Sequence, residues 1–162
     1  MKKPVVIQIV GFKNSGKTTT TCNLIERFSA LGWKVGSIKH DAHHFEIDHP
    51  GKDTWRHREA GAQVVAIASQ NKTAIMKQEG TSLPDLLGQM EGMDIVLVEG
   101  YKYSKYPKIV ILRNEMDISL LNETEGIFLI SSWFPYQHED IPVVSCRDYE
   151  AIFAKIQDYI KE

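Results

Sequence analysis

The chain has 162 residues, 43% of them hydrophobic and 25% charged, which suits one soluble domain with a full core. Its formal net charge of −2 gives no general attraction to nucleic acid or anionic membrane. No uninterrupted apolar run exceeds five residues, so none spans a bilayer, and the N-terminal MKKPVVIQIVGF reads as a strand rather than a signal peptide. Cys22 and Cys146 lie far apart without metal-like spacing, the pattern of buried free thiols in a reduced, cytoplasmic protein.

In chain order, strands are predicted at 5–10, 35–39, 64–68, 73–77, 95–99, 108–112, 127–131 and 142–146. Several are continuous and β-branched rather than alternating, as in strands covered on both faces of a mostly parallel sheet. After the first strand, Leu24, Ile25, Phe28 and Leu31 form a helical stripe that Gly32 ends. Further helices are expected at 52–61, 83–90 and 147–161, the last with Tyr149, Ile152, Phe153, Ile156 and Ile160 facing the core. Only SQNK separates VVAIA from TAIMK, so these two strands are expected to form an antiparallel hairpin. Together the elements predict a single three-layer α/β domain over 1–162, and the run Gly11-x-x-x-x-Gly16-Lys17-Thr18 between its first strand and first helix makes it one of the P-loop NTPase type.

GFKNSGKTTTT, residues 11–21, sits between the first strand and the first helix. Gly11-x-x-x-x-Gly16-Lys17-Thr18 is the phosphate-binding pattern in the context it requires. Gly11 and Gly16 allow backbone paths that a side chain would obstruct. The N–H groups of the loop, including those of Asn14, Ser15 and Thr19, then converge on phosphate oxygens, aided by the positive end of the following helix. Lys17 places a cation between the β- and γ-phosphates, and the Thr18 hydroxyl ligates Mg²⁺. Lys13 stands one position later than the lysine that reaches across a dimer in some P-loop ATPases, so a solvated or local phosphate contact is expected of it.

MDIVLVEG, residues 93–100, reads as a buried strand ending in an acid. Only the carboxyl end of a parallel strand faces the ligand crevice. Glu99 is therefore expected to hold Mg²⁺ or to orient an attacking water, whereas Asp94 pairs at the far end. The segment 39–62, KHDAHHFEIDHPGKDTWRHREAGA, carries five of the six histidines. It follows the second strand, where P-loop GTPases place a loop that senses the γ-phosphate. Asp41 is close enough to the strand end to approach the metal. His40, His43, His44, Asp48, Lys52, Asp53, Arg56 and His57 are the candidates for contact with a substrate or partner. The same residues also admit a solvated loop or a transition-metal site.

The combination of GFKNSGKTT, this histidine-rich run and DIVLVEGYK resembles the MobB family, molybdopterin-guanine dinucleotide biosynthesis protein B. The most specific part is the run from Asp48 through Pro50-Gly51-Lys52-Asp53-Thr54 and Arg56-His57 to Ala60-Gly61-Ala62. The resemblance implies a GTP-binding, weakly hydrolysing, homodimeric cytoplasmic protein. It also implies a partner, the MobA-type guanylyltransferase, which attaches GMP to molybdopterin. Supplying GTP and handing over the cofactor are both compatible with these residues. Guanine preference comes from the resemblance alone, because the Asn/Thr-Lys-x-Asp signature is absent: Asn71-Lys72-Thr73-Ala74 lacks the acid. Lys52, Arg56, His57 and Arg58 are of a type that holds a molybdopterin phosphate. The alternatives are a metallochaperone-type GTPase using segment 40–57, a nucleotide kinase, and a non-catalytic scaffold. Against a kinase, the arginines outside the first helix are only Arg56, Arg58, Arg113 and Arg147, too sparse for a phosphate-clamping lid.

Overall fold

A computed structural model describes residues 3–41 and 44–161. The chain divides into two compact units, one from residues 1–40 with 87–162 and one from 41–86.

The larger unit is built on six parallel strands in the order β2-β5-β1-β6-β7-β8. These are β1 (Val5–Val10), β2 (Val35–Lys39), β5 (Ile95–Glu99), β6 (Lys108–Leu112), β7 (Ile127–Ser132) and β8 (Val143–Ser145). Every residue of β5 and β6 is buried, as expected of strands covered on both faces. Side-chain alternation sorts these strands into two cores. Ile7, Ile9, Ile95, Leu97, Ile109 and Ile111 pack with Leu24 and Phe28 of helix α1 (Lys17–Ala30) and Ile152 and Ile156 of helix α5 (Tyr149–Lys161). Val10, Val110, Leu112 and Ile130 turn to the opposite face and pack with Leu120 of the short helix α4 (Ser119–Glu123). Helices thus cover both faces, and the three-layer α/β expectation holds.

Helix α1 is preceded by its N-cap Gly16, whose φ of 101° only glycine adopts freely. Four threonines near its start are tolerated partly because Thr21 Oγ1 donates to the Lys17 carbonyl at 2.8 Å, one turn back. Leu31 is not part of the buried stripe as expected. It is the C-cap of α1 and is 55% exposed, because the chain leaves the helix there and turns at Gly32 with a φ of 79°. Cys146 is buried, which raises its thiol pKa, but Cys22 is exposed on α1, contrary to expectation. Asp94 pairs at the lower end of β5 as predicted, its carboxylate accepting the Lys34 N–H at 2.7 Å.

The smaller unit contains helix α2 (Asp53–Glu59) and the antiparallel strands β3 (Val64–Ala68) and β4 (Thr73–Lys77). The hairpin is the one predicted, with Ala66 opposite Ile75. Although VVAIA is a continuous apolar run, only Val65 of β3 is buried. Two strands alone have too few neighbours to cover either face. Helix α3 (Leu83–Gly88) runs between the units in sequence.

Candidate functional site

The site forms where the carboxyl ends of β1 and β5 lie side by side, Ile9 opposite Glu99. The chain leaves β1 into a loop shaped by Asn14 (φ 60°) and Gly16. A Cβ on Gly11 would lie 2.5 Å from Ser15 Oγ and 3.0 Å from the Ile111 carbonyl, so the loop folds back tightly over the sheet edge. Ser15 Oγ is buried without a hydrogen-bond partner. The first N–H groups of α1 have no partner within the helix, and Gly16 supplies no side-chain cap.

Lys17 folds over this loop, its ammonium donating to the Gly11 carbonyl at 2.9 Å and the Phe12 carbonyl at 2.7 Å. Burial lowers its pKa below the ordinary lysine value; the Glu99 carboxylate opposes that shift and the Lys39 ammonium adds to it. Thr18 Oγ1 lies 3.0 and 3.1 Å from the two Glu99 oxygens, donating to the carboxylate. Glu99 is 7% exposed. Lysine, hydroxyl and carboxylate, 82 residues apart in sequence at their extremes, thus meet at the carboxyl end of the sheet. Thr19 follows on the exposed side of α1, and Lys13 is exposed with its backbone carbonyl accepting from Arg113 Nη1 at 3.1 Å.

His40 follows β2 beside this constellation. Its N–H donates to the Glu99 carbonyl at 2.9 Å, and its ring lies 4.3 Å from that of Tyr101. Tyr101 takes a φ of 55°, unusual for a residue other than glycine. The fully buried Gln8 holds this bend by donating to the Gly100 and Tyr101 carbonyls at 3.0 and 2.9 Å. Sequence reading missed Gln8, although a glutamine inside an otherwise apolar strand was a signal. It also missed Trp133, whose indole N–H donates to the Ser15 carbonyl at 2.8 Å and whose ring would meet a Cβ on Gly16 at 3.3 Å.

Asp48, Lys52, Asp53, Arg56 and His57 lie in the smaller unit, with the exposed Asp41 and His44. Asp48 Oδ1 accepts from Thr54 Oγ1 at 2.9 Å and from the His49 N–H at 3.0 Å, while its Oδ2 is buried without a partner. Lys52 caps α2. Arg58 pairs with Glu46 at 3.0 Å rather than with Asp53 or Glu59 on its own helix. Asp53, Arg56 and His57 line a cavity of about 380 Å³. His43 lies outside the described residues. Among those described, no three His, Cys, Asp or Glu side chains assemble into a metal-binding group.

A parallel α/β sheet, a glycine-bounded loop opening a helix, and an acid at the end of the neighbouring strand define the P-loop class. Residues 6–133 match the sequence model of one family in particular, described as Molybdopterin guanine dinucleotide synthesis protein B (MobB). The chain belongs to this family. It is 36% identical over 136 residues to the Molybdopterin-guanine dinucleotide biosynthesis adapter protein of Haemophilus influenzae, an alignment covering 82% of this chain and 76% of that one. Its fold resembles the crystal structure of Bacillus subtilis MobB, with a TM-score of 0.81 at 30% identity over 93% of this chain and 97% of that one. It also resembles the MobB protein homolog from Bacillus stearothermophilus, with a TM-score of 0.78 at 28% identity over 96% and 97%.

Proposed function

We propose that this protein is an adapter in molybdopterin-guanine dinucleotide biosynthesis that binds GTP with Mg²⁺ and hydrolyses it slowly. The observation that carries the nucleotide part is the meeting of Lys17, Thr18 and Glu99 at the mouth of the glycine-bounded loop. The adapter role is supported by family membership and by the name of the Haemophilus influenzae relative.

The Thr18 hydroxyl and Glu99 carboxylate offer the oxygen donors that a hard cation takes, so these two residues would hold Mg²⁺. When bound, Mg²⁺ neutralises charge across the β- and γ-phosphates. The ammonium of Lys17 exchanges two loop carbonyls for phosphate oxygens, and the N–H groups of residues 14–19 hold the phosphates in line. Glu99 would hold the metal through water or orient the attacking water.

Molybdopterin is proposed as the second ligand, at the cavity lined by Asp53, Arg56 and His57. A guanidinium there pairs with its phosphate, and a carboxylate accepts hydrogen bonds from its pterin ring. The partner is a MobA-type guanylyltransferase, and the setting is the cytoplasm. Homodimer formation is supported by the hairpin, where Val64 and Ile67 are 54% exposed and Ile75 is 62% exposed on a sheet with two open edges.

Two variants test the nucleotide reading. Lys17→Ala is expected to lose GTP binding while keeping the wild-type circular dichroism spectrum. Glu99→Gln is expected to bind GTP but turn it over about tenfold or more slowly. Wild-type GTP affinity in Lys17→Ala would overturn the phosphate-loop assignment, and unchanged turnover in Glu99→Gln would remove that carboxylate from the chemistry.

A further inference from the structure

Lys17 is not the only ammonium group at the mouth of the phosphate loop. Lys102 stands three residues after Glu99, in the segment 100–107 that joins β5 to β6. Its Nζ lies 5.8 Å from the centre of the Phe12 ring and 4.8 Å from that of Tyr103. Phe12 is the second residue of the phosphate loop, and its carbonyl accepts from Lys17. One lysine from α1 and one from the segment after β5 therefore approach the same phosphate-loop residue.

Buried groups fix this placement. The backbone after Glu99 takes positive φ twice, 98° at Gly100 and 55° at Tyr101. A tyrosine persists there only where its surroundings over-determine it. Gln8 does so through the Gly100 and Tyr101 carbonyls, as described above. Lys108, fully buried and opposite Gln8 in the sheet register, donates to the carbonyls of Ser104 and Tyr106, the latter at 2.9 Å. The Ser104 N–H donates to the Tyr101 carbonyl at 2.9 Å and closes a turn at 101–104. Two buried polar side chains thus hold the turn that carries Lys102, and burying a lysine for loop carbonyls is costly. The charge partner of Lys102 is more loosely held. Its Nζ donates to Glu123 Oε2 at 2.9 Å, and the two side chains are 32% and 44% exposed. An ion pair so exposed contributes little and exchanges readily. The hydrogen bond to Glu123 raises the Lys102 pKa above the ordinary lysine value, so the ammonium stays charged. A metal held by Thr18 and Glu99 bridges the β- and γ-phosphates, which puts the γ-phosphate on the side of the loop that Lys102 approaches.

Resting on the nucleotide reading given above, we infer that Lys102 is a second phosphate-binding lysine, which leaves Glu123 for the γ-phosphate and so distinguishes a nucleoside triphosphate from a diphosphate. Glu123 is then its resting partner and competes with the nucleotide for it.

The test is calorimetric binding, with Mg²⁺, of GTP, GDP and inorganic tripolyphosphate to the wild type, Lys102→Met, Glu123→Gln and the double variant. Methionine keeps an apolar stem beside Phe12 and Tyr103, so Lys102→Met should fold. It is expected to lose about 10- to 100-fold in affinity for GTP and tripolyphosphate, with GDP affinity unchanged. Glu123→Gln frees Lys102 and is expected to gain about 2- to 5-fold for GTP, a gain absent from the double variant. Opposite signs for the two partners of one ion pair are not what a merely structural bridge gives. If Lys102→Met keeps wild-type GTP affinity while tripolyphosphate still binds, the inference falls and the phosphate loop stands. An equal loss for GTP and GDP would make the Lys102–Glu123 pair a strut of the loop and also overturn it. So would a loss of GTP affinity in Glu123→Gln, or a gain that persists in the double variant. If the wild type binds neither GTP nor tripolyphosphate, the nucleotide reading itself falls and this inference with it.

Discussion

At the scale of single residues, Lys17 connects the fold to its chemistry most directly. Its ammonium is held by two backbone carbonyls that carry no formal charge, in surroundings that lower its pKa. A triphosphate arriving at the loop reverses that condition, because opposite charge favours the protonated form. In the window between the lowered value and the ordinary lysine value of about 10.4, the free protein is partly deprotonated at Lys17 and the bound protein is protonated. GTP binding should therefore take up protons at alkaline pH, and affinity should fall as pH rises through that window. Calorimetry in buffers of different ionisation enthalpy measures the uptake directly. Lys17→Arg, whose guanidinium stays charged, should abolish it.

Elements set the geometry within which those residues act. Helix α1 holds its N-terminus at the proposed phosphate site because its other face is locked into the core. Phe28 is fully buried and packs against Trp33 and Phe153 with ring centroids 5.1 and 4.9 Å away. Phe28→Ala should lower unfolding stability by about 3–5 kcal/mol in urea titration, by lost burial and the cavity left behind. Most elements were legible in the sequence because each carries its own signal. The glycine-bounded loop, the acid ending a buried strand and the Gly32 stop are local patterns, and all hold in the structure. Helix α4 and the 3₁₀ turn before it (Glu115–Ile118) were missed because five and four residues are too few to show a helical period. The predicted strand at 142–146 shortens to Val143–Ser145, since the chain turns at Cys146 and Arg147, the Asp148 N–H donating to the Ser145 carbonyl at 3.0 Å. The site contacts made by Gln8 and Trp133 join residues more than ninety positions apart, which no local pattern records.

For the whole molecule, family membership and the two-unit organisation frame the proposed role. The residues proposed for the nucleotide belong to the larger unit, and those proposed for molybdopterin belong to the smaller one. The hairpin of the smaller unit exposes Val64 and Ile75 on one face, at odds with a solvated surface. If this face joins two copies, Ile75→Lys should shift the protein from dimer to monomer in sedimentation velocity at micromolar concentration. It should leave GTP affinity unchanged, because Ile75 belongs to the smaller unit and the residues proposed to bind nucleotide belong to the larger. A wild-type protein that sediments as a monomer would overturn the dimer proposal.

The proposed adapter role rests on coupling between nucleotide and molybdopterin. The measurement that tests this most directly is calorimetric titration of the protein with GTP and with ATP, each with Mg²⁺, in the presence and absence of molybdopterin. The predicted result is binding selective for GTP, with an affinity that molybdopterin changes. Equal binding of both nucleotides, unaffected by molybdopterin, would leave a phosphate loop in place and contradict the adapter account.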